Sequence, residues 1–240
     1  MGQLLFVRHG QASLLKTYYD DLSDHGREQA TALGSYFAEH GWGFDAVYSG
    51  PARRHLDTAN AVGKAVGEHE MAWPEAQALP GLDEHDNLSL VRASVGSLSD
   101  DAEVVALRRE MLEAHSREER SERFQRLFEA VMIRWLRGDF EPQGVETWTQ
   151  FRARVLSCLE AITSGPEATE RSLLVVSSEG PLAVMLQRAL ELDDEASFRL
   201  AWRVRNSSLS NFLFDERGRL ALDSFNALPH IPDRSAWTFR

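Results

Sequence analysis

The chain has 240 residues, 43% apolar and 26% charged, with eight histidines, one cysteine and a formal charge of −11. That balance suits one globular domain, or one domain carrying a large insertion, and argues against nucleic acid and anionic membranes as partners. The single Cys158 excludes an intrachain disulfide, and no apolar run is long enough to span a bilayer. The start lacks a signal-peptide pattern, so the expected location is the cytoplasm. Only Lys16 and Lys64 are lysines; the other 24 of the 26 basic residues are arginine, the better bidentate binder of phosphate and carboxylate.

Residues 3–7, inside "LLFVRHGQAS", read as a buried strand, followed by a loop rich in Tyr, Asp and Ser. A helix starts near Ser23, carries Ala30, Leu33 and Phe37 on one face and ends at Gly41. Residues 44–49 form a second strand, and Pro51 opens a helix that runs to about Val66. Between about Asp100 and Gly138 the pattern is helical and charged. Leu107, Met111 and Leu112, then Phe124, Leu127, Phe128, Val131 and Trp135, mark the apolar faces of two helices. A further helix covers 147–162, with Cys158 at a core position. Residues 172–178 are the most strand-like segment and lead into the helix "PLAVMLQRAL". "SLSNFLFDERGRLALDSF" reads as a hairpin turning at 216–218.

Strands alternating with helices imply a mostly parallel sheet, and such sheets bind ligands beyond the carboxyl ends of their strands. Arg8 and His9, Ser49 to Arg54, and Ser177 to Gly180 all fall at such ends. A histidine there can present a ring nitrogen to an electrophile. Arg8 and the Arg53–Arg54 pair can hold a dianion through charge-assisted bonds. No spacing of His, Cys or carboxylates suggests a metal site, and no cofactor is expected.

"VRHGQAS" and "DAVYSGPARRHLDTA" resemble the two signatures of the histidine phosphatase superfamily, also called phosphoglycerate mutase-like. "LSDHGREQATALG" is similar to that family's first helix, and "LPGLDEHD" to its loop bearing an acidic residue. The resemblance implies a three-layer α/β fold, with a mostly parallel sheet and helices on both faces. It implies a single domain over residues 1–240 with a helical insertion at about 88–145 that covers the site. It makes His9 the nucleophile that takes the phosphoryl group, Arg8 and Arg54 the phosphate binders, and Glu84 the proton donor to the leaving group. Gln11 is expected to add a hydrogen bond to the substrate. His55 takes a position where the family usually has a small residue, and either lines the pocket or merely packs.

One motif departs. The family's third signature is a strand followed by Ser-His-Gly-Gly, whose histidine bonds the phosphoryl group; here "LLVVSSEGPLAVML" puts Ser178 at that place and Glu179 at a glycine. The expected function is phosphomonoester hydrolysis through a phosphohistidine at His9 on a small phosphorylated substrate, with the activity level left open by Ser178 and Glu179. Two alternatives stand beside it. One is an impaired phosphatase-fold protein that binds a phosphorylated ligand or partner. The other is a serine hydrolase in which Ser178, Asp215 or Asp223, and His230 follow the required chain order.

Overall fold

A computed structural model describes residues 1–13, 20–165 and 168–239. The loop expected after the first strand falls mostly on 14–19, outside the described residues. The chain divides into two compact units, Met1–Glu84 with Arg154–Arg240, and His85–Ala153.

The first unit is built on a sheet. Strand β1 (Gly2–Arg8) is followed by helix α1 (Asp24–Glu39), β2 (Ala46–Ser49), α2 (Arg53–Glu68) and the short β3 (Ala76–Ala78). Within the second unit lie α3 (Asn87–Ser97), α4 (Ala102–Leu112) and α5 (Arg117–Arg137). Helix α6 (Trp148–Thr163) begins there and ends in the first unit, which continues with β4 (Ser172–Ser177) and α7 (Glu179–Leu190). Next come α8 (Asp194–Ala201), β5 (Leu209–Phe214) and β6 (Leu220–Ala227).

The six strands are ordered β3-β2-β4-β1-β5-β6. β1 pairs with β4 in parallel, as β2 does with β4 and β3; only β5 runs against its neighbours β1 and β6. β1 and β4 are buried on both faces, which is why they read as unbroken apolar runs rather than alternating ones. On one face Leu5, Val7, Val47, Leu174 and Val176 pack with Ala30, Leu33 and Phe37 of α1 and Ala59, Val62 and Val66 of α2. The alternate residues Leu4, Phe6, Leu173 and Val175 are buried on the other face. The fold is therefore the three-layer α/β arrangement expected, with the hairpin β5–β6 turning where its sequence predicted.

Several expectations need correction. Pro51 is not in the first turn of α2: Ala52, with extended backbone, is the N-cap and Arg53 the first helical residue. β3 and α8 carry no clear pattern, while α3 falls within the expected helical insertion; β3 is three residues long, and its last two are exposed. Leu112 was placed on an apolar face but is 71% exposed, because α4 ends there. Cys158 is half-buried, so it is not a core residue; its side chain lies against Gly81, where an added Cβ would meet the Cys158 Cβ at 2.3 Å.

In the second unit, Arg134 of α5 reaches Asp101 (3.0 Å) at the start of α4 and Glu103 (2.6 Å) in its first turn. The rings of His85, Trp135, Trp148 and Phe151 form an aromatic cluster. No helix among the described residues is long and apolar enough to cross a membrane.

Candidate active site

The parallel register of β1 and β4 sets the site. Arg8 pairs with Ser177, and the His9 N–H donates to the Ser177 carbonyl at 2.9 Å, so His9 and Ser178 emerge side by side at the carboxyl ends of adjacent strands. The His9 ring is buried, and its Nδ1 lies 2.7 Å from the Gly10 carbonyl oxygen. A carbonyl only accepts, so Nδ1 carries the proton and Nε2 keeps its lone pair. Burial, then Arg54, His55 and Arg8, push the His9 pKa well below the ordinary value of 6.5. The ring is neutral near pH 7, the state a nucleophile needs.

Arg8 is fixed through its guanidinium, which donates to the Val204 carbonyl and pairs with Glu179 at 2.7 Å. Arg54, the second residue of α2, pairs with Asp20 at 2.6 Å and donates to Ser178 Oγ at 3.2 Å. Asp20 also accepts from the Arg53 backbone N–H at 2.7 Å, which places a negative charge on the positive end of α2. The two arginines thus grip consecutive residues, Ser178 and Glu179, and both lie close enough to His9 to depress its pKa. Gly10 completes this corner by donating its N–H to Thr58 Oγ1 at 3.0 Å.

Glu84 follows the 3-10 turn Pro80–Leu82, which Arg154 clamps: its guanidinium donates to the carbonyl oxygens of Pro80 and Gly81 in the turn and of Asp83 just after it, at 3.0–3.2 Å. Ser177 Oγ adds a bond to the Leu82 carbonyl at 2.5 Å. The Glu84 carboxylate accepts from the Gly180 N–H at 3.1 Å and stands near enough to His55 to act on it electrostatically. Gln11 Oε1 accepts from Ser23 Oγ at 3.0 Å, at the N-cap of α1. The structure therefore brings Arg8, His9, Arg54, Glu84 and Ser178 together, with Gln11 at the edge.

The serine-hydrolase arrangement is not assembled. Ser178 has His55 as its imidazole partner, whereas His230 Nε2 bonds Ser207 Oγ at 2.9 Å. Asp215 holds Arg219 in the hairpin turn, and Asp223 accepts from Asn211. Chain order alone could not reveal that the β5–β6 hairpin carries those carboxylates into other contacts.

A sequence profile of the histidine phosphatase superfamily (branch 1) matches residues 4–95 and 97–227. The chain belongs to that superfamily. Solved structures agree on the fold. A phosphoglycerate mutase from Bacillus anthracis str. Sterne is 20% identical, with 95% of this chain and 94% of that one covered at a TM-score of 0.61. An alpha-ribazole phosphatase from Shigella flexneri is 18% identical, covering 94% and 96%, with a TM-score of 0.63. A mycobacterial glucosyl-3-phosphoglycerate phosphatase in complex with inorganic phosphate is 19% identical, covering 95% and 98%, at 0.58. No curated protein matches the chain in sequence.

Within this histidine phosphatase fold, two further residues beside the candidate site carry no sequence signal, and the structure resolves a third that the sequence left with two readings. Asp20 came from the polar loop and carried no pattern of its own. Asp83 was overshadowed by Glu84; burial raises its carboxyl pKa above the usual range, against the pull of the Glu84 N–H, Arg54 and Arg154. His55, whose place in the sequence allows either pocket or packing, is fully buried and its Nε2 is 2.6 Å from Ser178 Oγ. Among the described residues no three His, Cys, Asp or Glu side chains gather as metal ligands.

Proposed function

We propose that the protein is a phosphomonoester hydrolase working through a phosphohistidine at His9. The observation that carries this reading is the His9 ring itself: buried, neutral, with Nδ1 held by the Gly10 carbonyl and with Arg8 and Arg54 close enough to depress its pKa. Nε2 would attack phosphorus, forming the N–P bond as the ester P–O bond breaks. In its carboxylic acid form, with the proton on the oxygen that does not face Gly180, Glu84 would give that proton to the departing oxygen, and the resulting carboxylate would then take one from the water that cleaves the N–P bond. The guanidinium groups would spread the charge of the transferring phosphoryl group. Structures whose names record phosphatase activity on small phosphorylated compounds support the reaction class.

Ser178, standing where the family's third signature has a histidine, favours the alternative of a phosphate binder with little turnover, and in either reading the charge balance matters. Both arginines already carry a carboxylate partner, Glu179 on Arg8 and Asp20 on Arg54, which a phosphate dianion must displace or share.

A panel of phosphomonoesters, one of them labelled, separates the two. Hydrolysis is expected, with acid-labile label on the fragment containing "VRHGQAS" and none in His9→Ala. Because the His9 pKa is depressed, the acid limb of kcat/KM should lie well below pH 6.5. Ligand binding without label or turnover would establish the binder instead.

A further inference from the structure

Ser178 is the N-cap of α7, yet its side chain makes no capping bond. Serine at that position ordinarily accepts from the N–H two or three residues on. Here the Glu84 carboxylate takes the Gly180 N–H, which frees the Ser178 hydroxyl from its usual task. The freed oxygen meets two side chains instead, Arg54 Nη2 at 3.2 Å and His55 Nε2 at 2.6 Å.

A serine hydroxyl has two lone pairs and one proton. Arg54 can only donate, so it occupies one lone pair. His55 is the variable partner, since imidazole donates or accepts according to its tautomer. Its Nδ1 is buried without a hydrogen-bond partner, and it abuts Gly50, where an added Cβ would lie 2.2 Å from it. Were Nε2 to accept from Ser178, Nδ1 would carry an N–H buried with nothing to receive it. A buried N–H without an acceptor is the rarer and costlier defect. With the proton on Nε2, Nδ1 holds only an unused lone pair, and both lone pairs of Ser178 Oγ are filled. The serine proton then has no acceptor among the described residues.

We propose that His55 and Arg54 together orient the Ser178 hydroxyl as an obligate donor to a phosphoryl oxygen held beside His9. His55 thereby supplies from α2 an imidazole that the end of β4 lacks; the rings of His9 and His55 lie 5.5 Å apart between centroids. His55 is a positioning residue, acting through Ser178. Burial and Arg54 keep it neutral, so that it does not act as an added cation. This inference rests on the phosphatase reading and says which donor replaces the missing histidine.

The test uses the full chain and separates donor from base. A glutamine places its amide N–H near the position of Nε2 but cannot accept a proton as a base would. His55→Leu and Ser178→Ala should each lower kcat/KM by about 10²-fold, the scale of one lost donor, and the double variant by no more than the worse single one. His55→Gln should recover at least tenfold over His55→Leu, with the label still on His9. A glutamine variant as poor as the leucine one, or label appearing on Ser178, would overturn the inference while leaving the phosphatase reading to be judged on His9 labelling in the unmodified protein. If the variants fail to fold, or the unmodified protein shows no turnover, ¹⁵N NMR of the histidines decides: a neutral His55 protonated on Nε2 is expected, and protonation on Nδ1 rejects the donor assignment.

Discussion

At the scale of single residues, the site's balance of charge sets how well it takes an anion. Glu179 lies 2.7 Å from Arg8, with side chains 23% and 6% exposed respectively, so the carboxylate faces the guanidinium that a phosphate would need. At a partly buried distance of a few ångströms, a like charge opposes an incoming dianion by about 1 kcal/mol or more. Glu179→Gln should therefore tighten phosphate or vanadate binding by roughly three- to tenfold, read by calorimetry or as an inhibition constant. Weaker binding would show that the carboxylate serves mainly to hold Arg8 in place. Arg8 has a second anchor in the Val204 carbonyl, which is why the gain is expected.

At the scale of elements, the loop after β1 and the first turn of α1 approach with no room for a side chain. A Cβ on Gly26 would lie 2.1 Å from the Gln11 carbonyl oxygen, and one on Gly10 would lie 2.4 Å from the Gly26 oxygen. Both obstacles are backbone, so neither can swing aside. Gly26→Ala should cost about 1–3 kcal/mol in denaturant unfolding and should slow turnover by pushing the His9–Gln11 segment out of line. Gly67, in the last turn of α2, has nothing within 4 Å of its added Cβ. Gly67→Ala should leave activity alone and stabilise by about 0.5 kcal/mol through helix propensity. Similar losses in both variants would mean that glycine's flexibility, and not the close approach, matters at position 26.

At the scale of the whole molecule, buried histidines tie stability to pH. His9 and His55 have pKa values pushed well below 6.5 by burial, and His230 is lowered to about 4 for the same reason. In the unfolded chain each returns to about 6.5. The unfolded state thus binds more protons in this interval, and stability rises with pH there. The contribution is fully present above pH 6.5 and is lost as pH falls from 6.5 towards 4. Tm should therefore drop steadily between pH 7 and pH 5, with net proton uptake on unfolding near pH 6. The depressed carboxylates Asp86 and Asp101 add to this only below about pH 4, so they cannot account for it. A Tm flat from pH 7 to 5 would contradict neutral burial of these rings.

The sequence by itself determined the layers and the ends of the strands. Unbroken apolar runs marked β1 and β4, helical periodicity marked α1 and α6, and the short motifs put Arg8, His9 and Arg54 at strand ends where a parallel sheet binds ligands. Those are local properties of pattern and chirality, so they can be read without coordinates. What only the tertiary structure decided is how groups distant in the chain share hydrogen bonds. Asp20 closing on Arg54, Glu84 capping Gly180, and His55 meeting Ser178 across 123 positions depend on the β1–β4 register and on the packing of α2. Side-chain partners are chosen by proximity in space and by the cost of leaving a buried polar group unmatched, and neither is written in the spacing of residues.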